Sequence, residues 1–170
     1  SGALIAKSNI NFEPIINGGG QEDGMRSGTT SIAHACALAK ALKLELALKK
    51  DGVVNLNKYL REELNQIDGI EINSPVEASP FIVNFSLKTK KAAVVVEGLS
   101  NEGIFVSTVA ACSSKGEAGS KVVAALGKSS VLAHNTIRIS FDYSTSKDDV
   151  DKFLITFKNI LESIKWHTIT

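Results

Sequence analysis

Apolar positions along the chain repeat with two different periods, and the switches between them mark out most of the elements. The helical period is clearest in residues 146–166, SKDDVDKFLITFKNILESIKW. There Val150, Phe153, Leu154, Phe157, Ile160, Leu161 and Ile164 recur three or four apart, Ser146 stands at the N-cap, and Asp148 and Asp149 fall in the first turn. A long helix is predicted over about 30–50, opened by Thr29 and Thr30, with Ile32, Cys36, Leu38, Leu42, Leu46 and Ala47 at helical spacing and Lys49-Lys50 at its end. Asp51-Gly52 is read as its break, and NLNKYLREELNQI (55–67) as a second helix that stops at Asp68-Gly69.

Strands are predicted where β-formers cluster or alternate: FIVNFSL (81–87), GIFVST (103–108) and TIRISFDY (136–143). ALIAK (3–7) is a short apolar run expected to be a strand that needs neighbours. Because it begins almost at the first residue, the chain reads as cut from something longer. Residues 90–102 pull both ways: three valines favour strand, whereas the Ala-Ala start and the Gly-Leu-Ser-Asn ending favour helix, and helix is the reading taken. Residues 119–128 predict a short helix stopped by Gly127, and 71–80, with two of the three prolines, a connecting segment with room for a strand at its start. Five glycines within residues 17–28 make that stretch a loop. The order that results is an α/β sandwich, with helices over a small mixed or antiparallel sheet.

Composition narrows the picture only slightly. At 170 residues, 44% apolar and 22% charged, the chain is an ordinary globular one, with room for one domain or one domain plus part of another. A net charge of +1 gives no general attraction to nucleic acid or anionic membrane, and no apolar run is long enough to span a bilayer. No secretion signal opens the chain, and two cysteines make no disulfide framework, so a reducing, cytoplasmic setting is expected. The sequon Asn84-Phe85-Ser86 lies inside a predicted strand and carries no meaning there.

Three stretches could carry chemistry. In NGGGQEDGMRSGT, backbone donors, hydroxyls and the positive end of the following helix together suit a phosphate, although a plain flexible turn accounts for the same composition. It is neither a Walker loop nor a dinucleotide fingerprint. In TIRISF, Thr136, Arg138 and Ser140 share one face of a strand, and a guanidinium fixed there suits a carboxylate; a solvated arginine on an open sheet face is the alternative. The two cysteines differ. Cys36 lies among alanines and leucines and is expected to be an inert core thiol. Cys112, in STVAACSSKGEAGS, has no apolar neighbours to bury it; Lys115 and the helix that follows would lower its pKa if the loop folds back. His34, His134 and His167 show no metal-ligand spacing with either cysteine, so no metal site is expected.

The segments GGGQEDGMRSGT, STVAACSS and LAHNTIRISF, in this order and at these separations, resemble the C-terminal part of a pyridoxal-phosphate cysteine desulfurase of the NifS/IscS type. That family belongs to the class V aminotransferases of fold-type I. The resemblance spans essentially all 170 residues. It implies the end of the large cofactor-binding domain and its linking helix over residues 1–50, and a C-terminal small domain carrying the cysteine loop over 51–170. It implies that Thr29 meets the phosphate of the neighbouring subunit's pyridoxal 5'-phosphate (PLP), that Cys112 takes the sulfur, and that Arg138 holds the substrate carboxylate. The implied reaction turns L-cysteine into L-alanine and leaves a persulfide on Cys112. The implied partners are a second subunit and a sulfur acceptor, an iron–sulfur scaffold or a tRNA-thiolating enzyme.

Two departures are small: Gln21 stands where many relatives carry histidine, and Asn135-Thr136 replace a more usual serine pair. A larger one is that the family's cofactor lysine would fall before the first residue, and no lysine here takes its place. The 170 residues alone are therefore expected to be inactive, with residues 3–28 poorly ordered or paired with another copy. Selenocysteine lyase or another class V enzyme remains an alternative, as does a cofactor-free sulfur carrier or binding module.

Overall fold

The computed structural model describes residues 2–108 and 119–164, so Cys112, Lys115 and His167 lie outside the described residues. The chain divides into two compact units, Ser1–Lys49 and Lys50–Thr170.

In the first unit the strand expected at 3–7 is not formed. A strand is held by a neighbour's backbone, and this segment has no ladder partner; Leu4 and Ile5 are 78% and 96% exposed. The glycine loop contains one 3-10 turn, Glu22–Gly24, and is closed by two bonds: Ser27 N–H donates to the Ile16 carbonyl (3.2 Å), and Gly28 N–H to Gln21 Oε1 (3.1 Å). Helix α1 runs Ile32–Ala47, shorter at both ends than expected, with Ser31 at its N-cap position. It buries none of its residues, and this corrects the expectation for Cys36: the thiol is exposed, not a core group.

The second unit opens with α2, Asp51–Asn65. Asp51-Gly52 therefore begins a helix rather than only breaking one, and Asp51 suits the positive end of the helix dipole. Buried Val53, Asn57, Leu60 and Leu64 form its inner stripe. Arg61 then ties down the connector that follows β1 (Ile70–Ile72), donating from Nη1 to the Ser74 carbonyl (2.8 Å) and from Nη2 to that of Pro75 (3.1 Å).

Next come β2 (Ile82–Leu87), α3 (Ala92–Asn101), β3 (Ser107–Thr108), α4 (Lys121–Ala125), α5 (Ser130–His134), β4 (Thr136–Ser140) and α6 (Lys147–Ser163). The four strands form an antiparallel sheet in the order β1-β2-β4-β3. Helix α3 resolves the ambiguity of residues 90–102, with Ala92, Val95 and Leu99 buried on one side. The strand expected over 103–108 shrinks to its last two residues, and that over 136–143 ends at Ser140. Gly127, at φ +78°, turns the chain after α4.

One face of the sheet carries Val83, Phe85, Leu87, Ile137 and Ile139, packed with Leu60, Leu64, Val95, Leu99, Phe153 and Phe157 into a single core. Phe157 stacks on Phe153 (5.2 Å between centroids) and meets Phe85 edge-on (5.6 Å). Helix α3 approaches α6 closely at Gly98, where a Cβ would stand 3.2 Å from Ile160. A capping box heads α6: the Ser146 hydroxyl accepts the Asp149 N–H, and the Asp149 carboxylate accepts the Ser146 N–H. At its other end the Lys90 ammonium donates to the carbonyls of Leu161 and Ile164. Among the described residues no helix is long and apolar enough to cross a membrane.

Candidate active site

The sheet face opposite the core is polar, and strand register decides what meets there. Along β4 the buried Ile137 and Ile139 alternate with Thr136, Arg138 and Ser140, so Arg138 projects from the other face and is exposed. Arg138 is the register partner of Ser107 on β3 and of Asn84 on β2. Paired residues of an antiparallel sheet point to the same side, with Cβ atoms about 4.5–5.5 Å apart. Ser107, Arg138 and Asn84 thus form one row across three strands. Arg138 Nη2 donates to Ser107 Oγ at 3.3 Å, which restrains the guanidinium on the open face.

Beside this row the face is closed by a buried polar network. Asn73 Nδ2 donates to Asn84 Oδ1 (2.8 Å) and Ser86 Oγ (2.7 Å); Thr136 Oγ1 donates to Asn84 Oδ1 (2.6 Å); Ser86 Oγ donates to the Leu132 carbonyl of α5 (2.8 Å). Asn73, Ser86 and Thr136 are buried, whereas Arg138 next to them is open. Asn73 Oδ1 is buried without a partner.

The stretch 133–138 also holds both flanks of the segment that contains Cys112. On the near side Thr108 pairs with Ile137, and its hydroxyl donates to the Thr136 carbonyl (3.0 Å). On the far side Ser120 N–H donates to the Ala133 carbonyl (2.8 Å) and Gly119 N–H to His134 Nε2 (3.1 Å). The opposite ring nitrogen, Nδ1, lies 2.7 Å from the Ser130 carbonyl, which can only accept. This fixes the tautomer, with the proton on Nδ1 and Nε2 free to accept. The approach at Gly119 is so close that a Cβ there would lie 2.8 Å from the Ala133 carbonyl carbon, so only glycine fits. Helix α5, with its Ser129 cap, is an element the sequence reading missed, and it provides His134 and the Leu132 carbonyl. Lys128, just before it, reaches Glu71 of β1 (2.8 Å) and with Lys88 holds that carboxyl below its ordinary range.

Thr29 stands in the first unit, exposed, two residues before α1. No side chain caps α1, because the Ser31 hydroxyl engages His34 Nδ1 instead (2.8 Å). The first-turn N–H groups therefore lack a side-chain acceptor beside the exposed hydroxyls of Thr29 and Thr30. Such a donor-rich set fits a phosphate oxygen.

The family description Aminotransferase class-V matches residues 7–153. A NifS/IcsS protein homolog of Lactobacillus delbrueckii subsp. bulgaricus is 32% identical over 166 residues, 95% of this chain and 43% of that protein. Cysteine desulfurase IscS of Dictyoglomus turgidum is 31% identical over 169 residues, 96% of this chain and 43% of that protein. The solved structure of a NifS-like protein superimposes with a TM-score of 0.73 at 29% identity, over 93% of this chain and 41% of that one. The chain thus spans less than half the length of the relatives it matches. The family match covers well over half of the chain, and the chain belongs to the class-V aminotransferase family.

Proposed function

We propose that the chain is the C-terminal part of a cysteine desulfurase, with residues 1–50 ending the large cofactor-binding domain and 51–170 forming the small domain. The observation that carries this reading is that residues 133–138 anchor both flanks of the Cys112 segment and also carry Arg138. The same six residues thus hold the two ends of the segment that contains the proposed nucleophile and bear the guanidinium proposed to bind the carboxylate.

In this reading Arg138 holds the carboxylate of L-cysteine by charge-assisted hydrogen bonds, and Ser107 restrains its swing. Thr29 and the uncapped first turn of α1 hold the phosphate of PLP bound in the neighbouring subunit of a homodimer. PLP, when bound, supplies the electron sink that makes the substrate's carbon–sulfur bond cleavable. Cys112, as thiolate, attacks the substrate sulfur; a sulfur–sulfur bond forms as the carbon–sulfur bond breaks, and the carbon is left to take a proton and depart as L-alanine. The persulfide on Cys112 is then handed to an acceptor, an iron–sulfur scaffold or a tRNA-thiolating enzyme, in a reducing cytoplasmic compartment. The cofactor lysine lies outside these residues, so the 170-residue chain by itself turns over no cysteine.

The test is mass spectrometry of the complete enzyme after exposure to L-cysteine. A persulfide on the peptide that contains Cys112, absent in Cys112→Ser together with alanine release, is the expected result. A persulfide mapped to Cys36, or undiminished alanine release in the variant, overturns the assignment.

A further inference from the structure

We propose that Asn84 is a second donor to the substrate carboxylate, beside Arg138. The inference rests on the reading of Arg138 given above and adds a residue that sets how the carboxylate is oriented.

The argument runs from the covered end of the network outward. The Leu132 carbonyl can only accept, so the Ser86 hydroxyl spends its proton there. The Ser86 oxygen must then accept from Asn73, which fixes Nδ2 of Asn73 on that side. The same Nδ2 faces Asn84, so Asn84 must answer with Oδ1, and Thr136 Oγ1 adds a second proton to that oxygen. With Oδ1 taken up by two donors, the NH2 group of Asn84 is turned away from the network. It has no partner among the described residues, yet it is not a buried atom, so it opens to solvent. By register it does so beside Arg138, on the same face of the sheet.

One further point favours a ligand there. The free group of Asn84 is a donor, and a donor next to a guanidinium is of use only to an acceptor. A planar carboxylate bridging the fork of Arg138 and the amide of Asn84 satisfies both, and the two donors then fix its plane as well as its position.

The experiment is steady-state kinetics of the complete enzyme with L-cysteine, comparing Asn84→Thr, Asn84→Asp and Arg138→Ala. Asn84→Thr removes the NH2 group without adding charge, and KM is expected to rise about tenfold with kcat within about threefold. Asn84→Asp keeps an acceptor for Asn73 and Thr136 but sets a carboxylate against the substrate's own, and KM is expected to rise further. A wild-type KM in Asn84→Thr alongside a raised KM in Arg138→Ala overturns the role of Asn84 alone. A wild-type KM in Arg138→Ala overturns the reading on which it rests. If the Asn84 variants do not fold, the unmodified enzyme decides: the side-chain NH2 resonance of Asn84 is expected to shift with that of the Arg138 guanidinium on titration with L-alanine. Movement of Arg138 alone refutes the proposal.

Discussion

Helices α1 and α6 are nearly equal in length, 16 and 17 residues, yet they solve opposite problems. α1 is much the more apolar, but its alanines and leucines are spread around the helix, and none is buried. α6 carries three aspartates and three lysines, and a strict stripe from which Val150, Phe153, Leu154 and Phe157 are buried. Its N-terminus has a full capping box, where α1 has no side-chain cap. The lesson is that placement of apolar residues, not their abundance, decides whether a helix finds a core.

Phe157→Ala, Ser146→Ala and Cys36→Ala test that contrast in descending order of effect, and Leu42→Ala serves as the counterpart of the first. Phe157→Ala removes a ring with no exposed surface, held by two other rings, and is expected to cost about 3–5 kcal/mol by urea unfolding. Leu42→Ala in α1 is expected to cost less than about 0.5 kcal/mol. Equal losses in the two would abolish the contrast.

Ser146→Ala comes next, with an expected loss of about 1 kcal/mol. Its pH dependence carries more information than its size. Bonds from the Ser146 N–H and hydroxyl hold the Asp149 carboxyl below its ordinary 3.8. A depressed carboxyl contributes stability above its unfolded pKa and loses it as pH falls through the folded value. The gap in unfolding midpoint between wild type and Ser146→Ala is therefore expected to be widest near neutrality and to narrow below about pH 3.8. A gap that widens on acidification would mean that Asp149 is not the partner.

The smallest effect is expected at Cys36. Because the thiol is exposed, Cys36→Ala should leave the midpoint within about 0.5 kcal/mol of wild type. Alkylation of Cys36 in the folded chain should likewise proceed at the rate of an unhindered thiol. Strong protection from the reagent would restore the core role that its sequence neighbours imply.

The elements legible in the sequence are those whose information is local. The stripe and cap of α6 and the alternation of β4 can be read without a partner, whereas 90–102, where the valines and the ends pull apart, is settled by the burial of Ala92, Val95 and Leu99. ALIAK failed as a strand for the converse reason, since β-formers specify a strand only when a neighbour supplies the ladder. Helix α5 escaped notice because five residues show no period, and its Ser129 cap is hidden in a run that reads as a linker. The site divides in the same way. Arg138 stands out as a charge between two isoleucines, whereas Asn84 looked like part of an idle sequon. Its significance comes from register with Arg138 and from a proton chain that begins on α5, neither of which one segment's sequence records.

The strand order has one more consequence. The longest strands, β2 and β4, lie in the middle, and the described edges are β1, of three residues, and β3, of two. Exposed sheet edges are where foreign chains add themselves, and a stub only two or three residues long has few free backbone groups for an intruder to pair with. The described margins of this sheet thus offer an incoming strand little backbone to pair with.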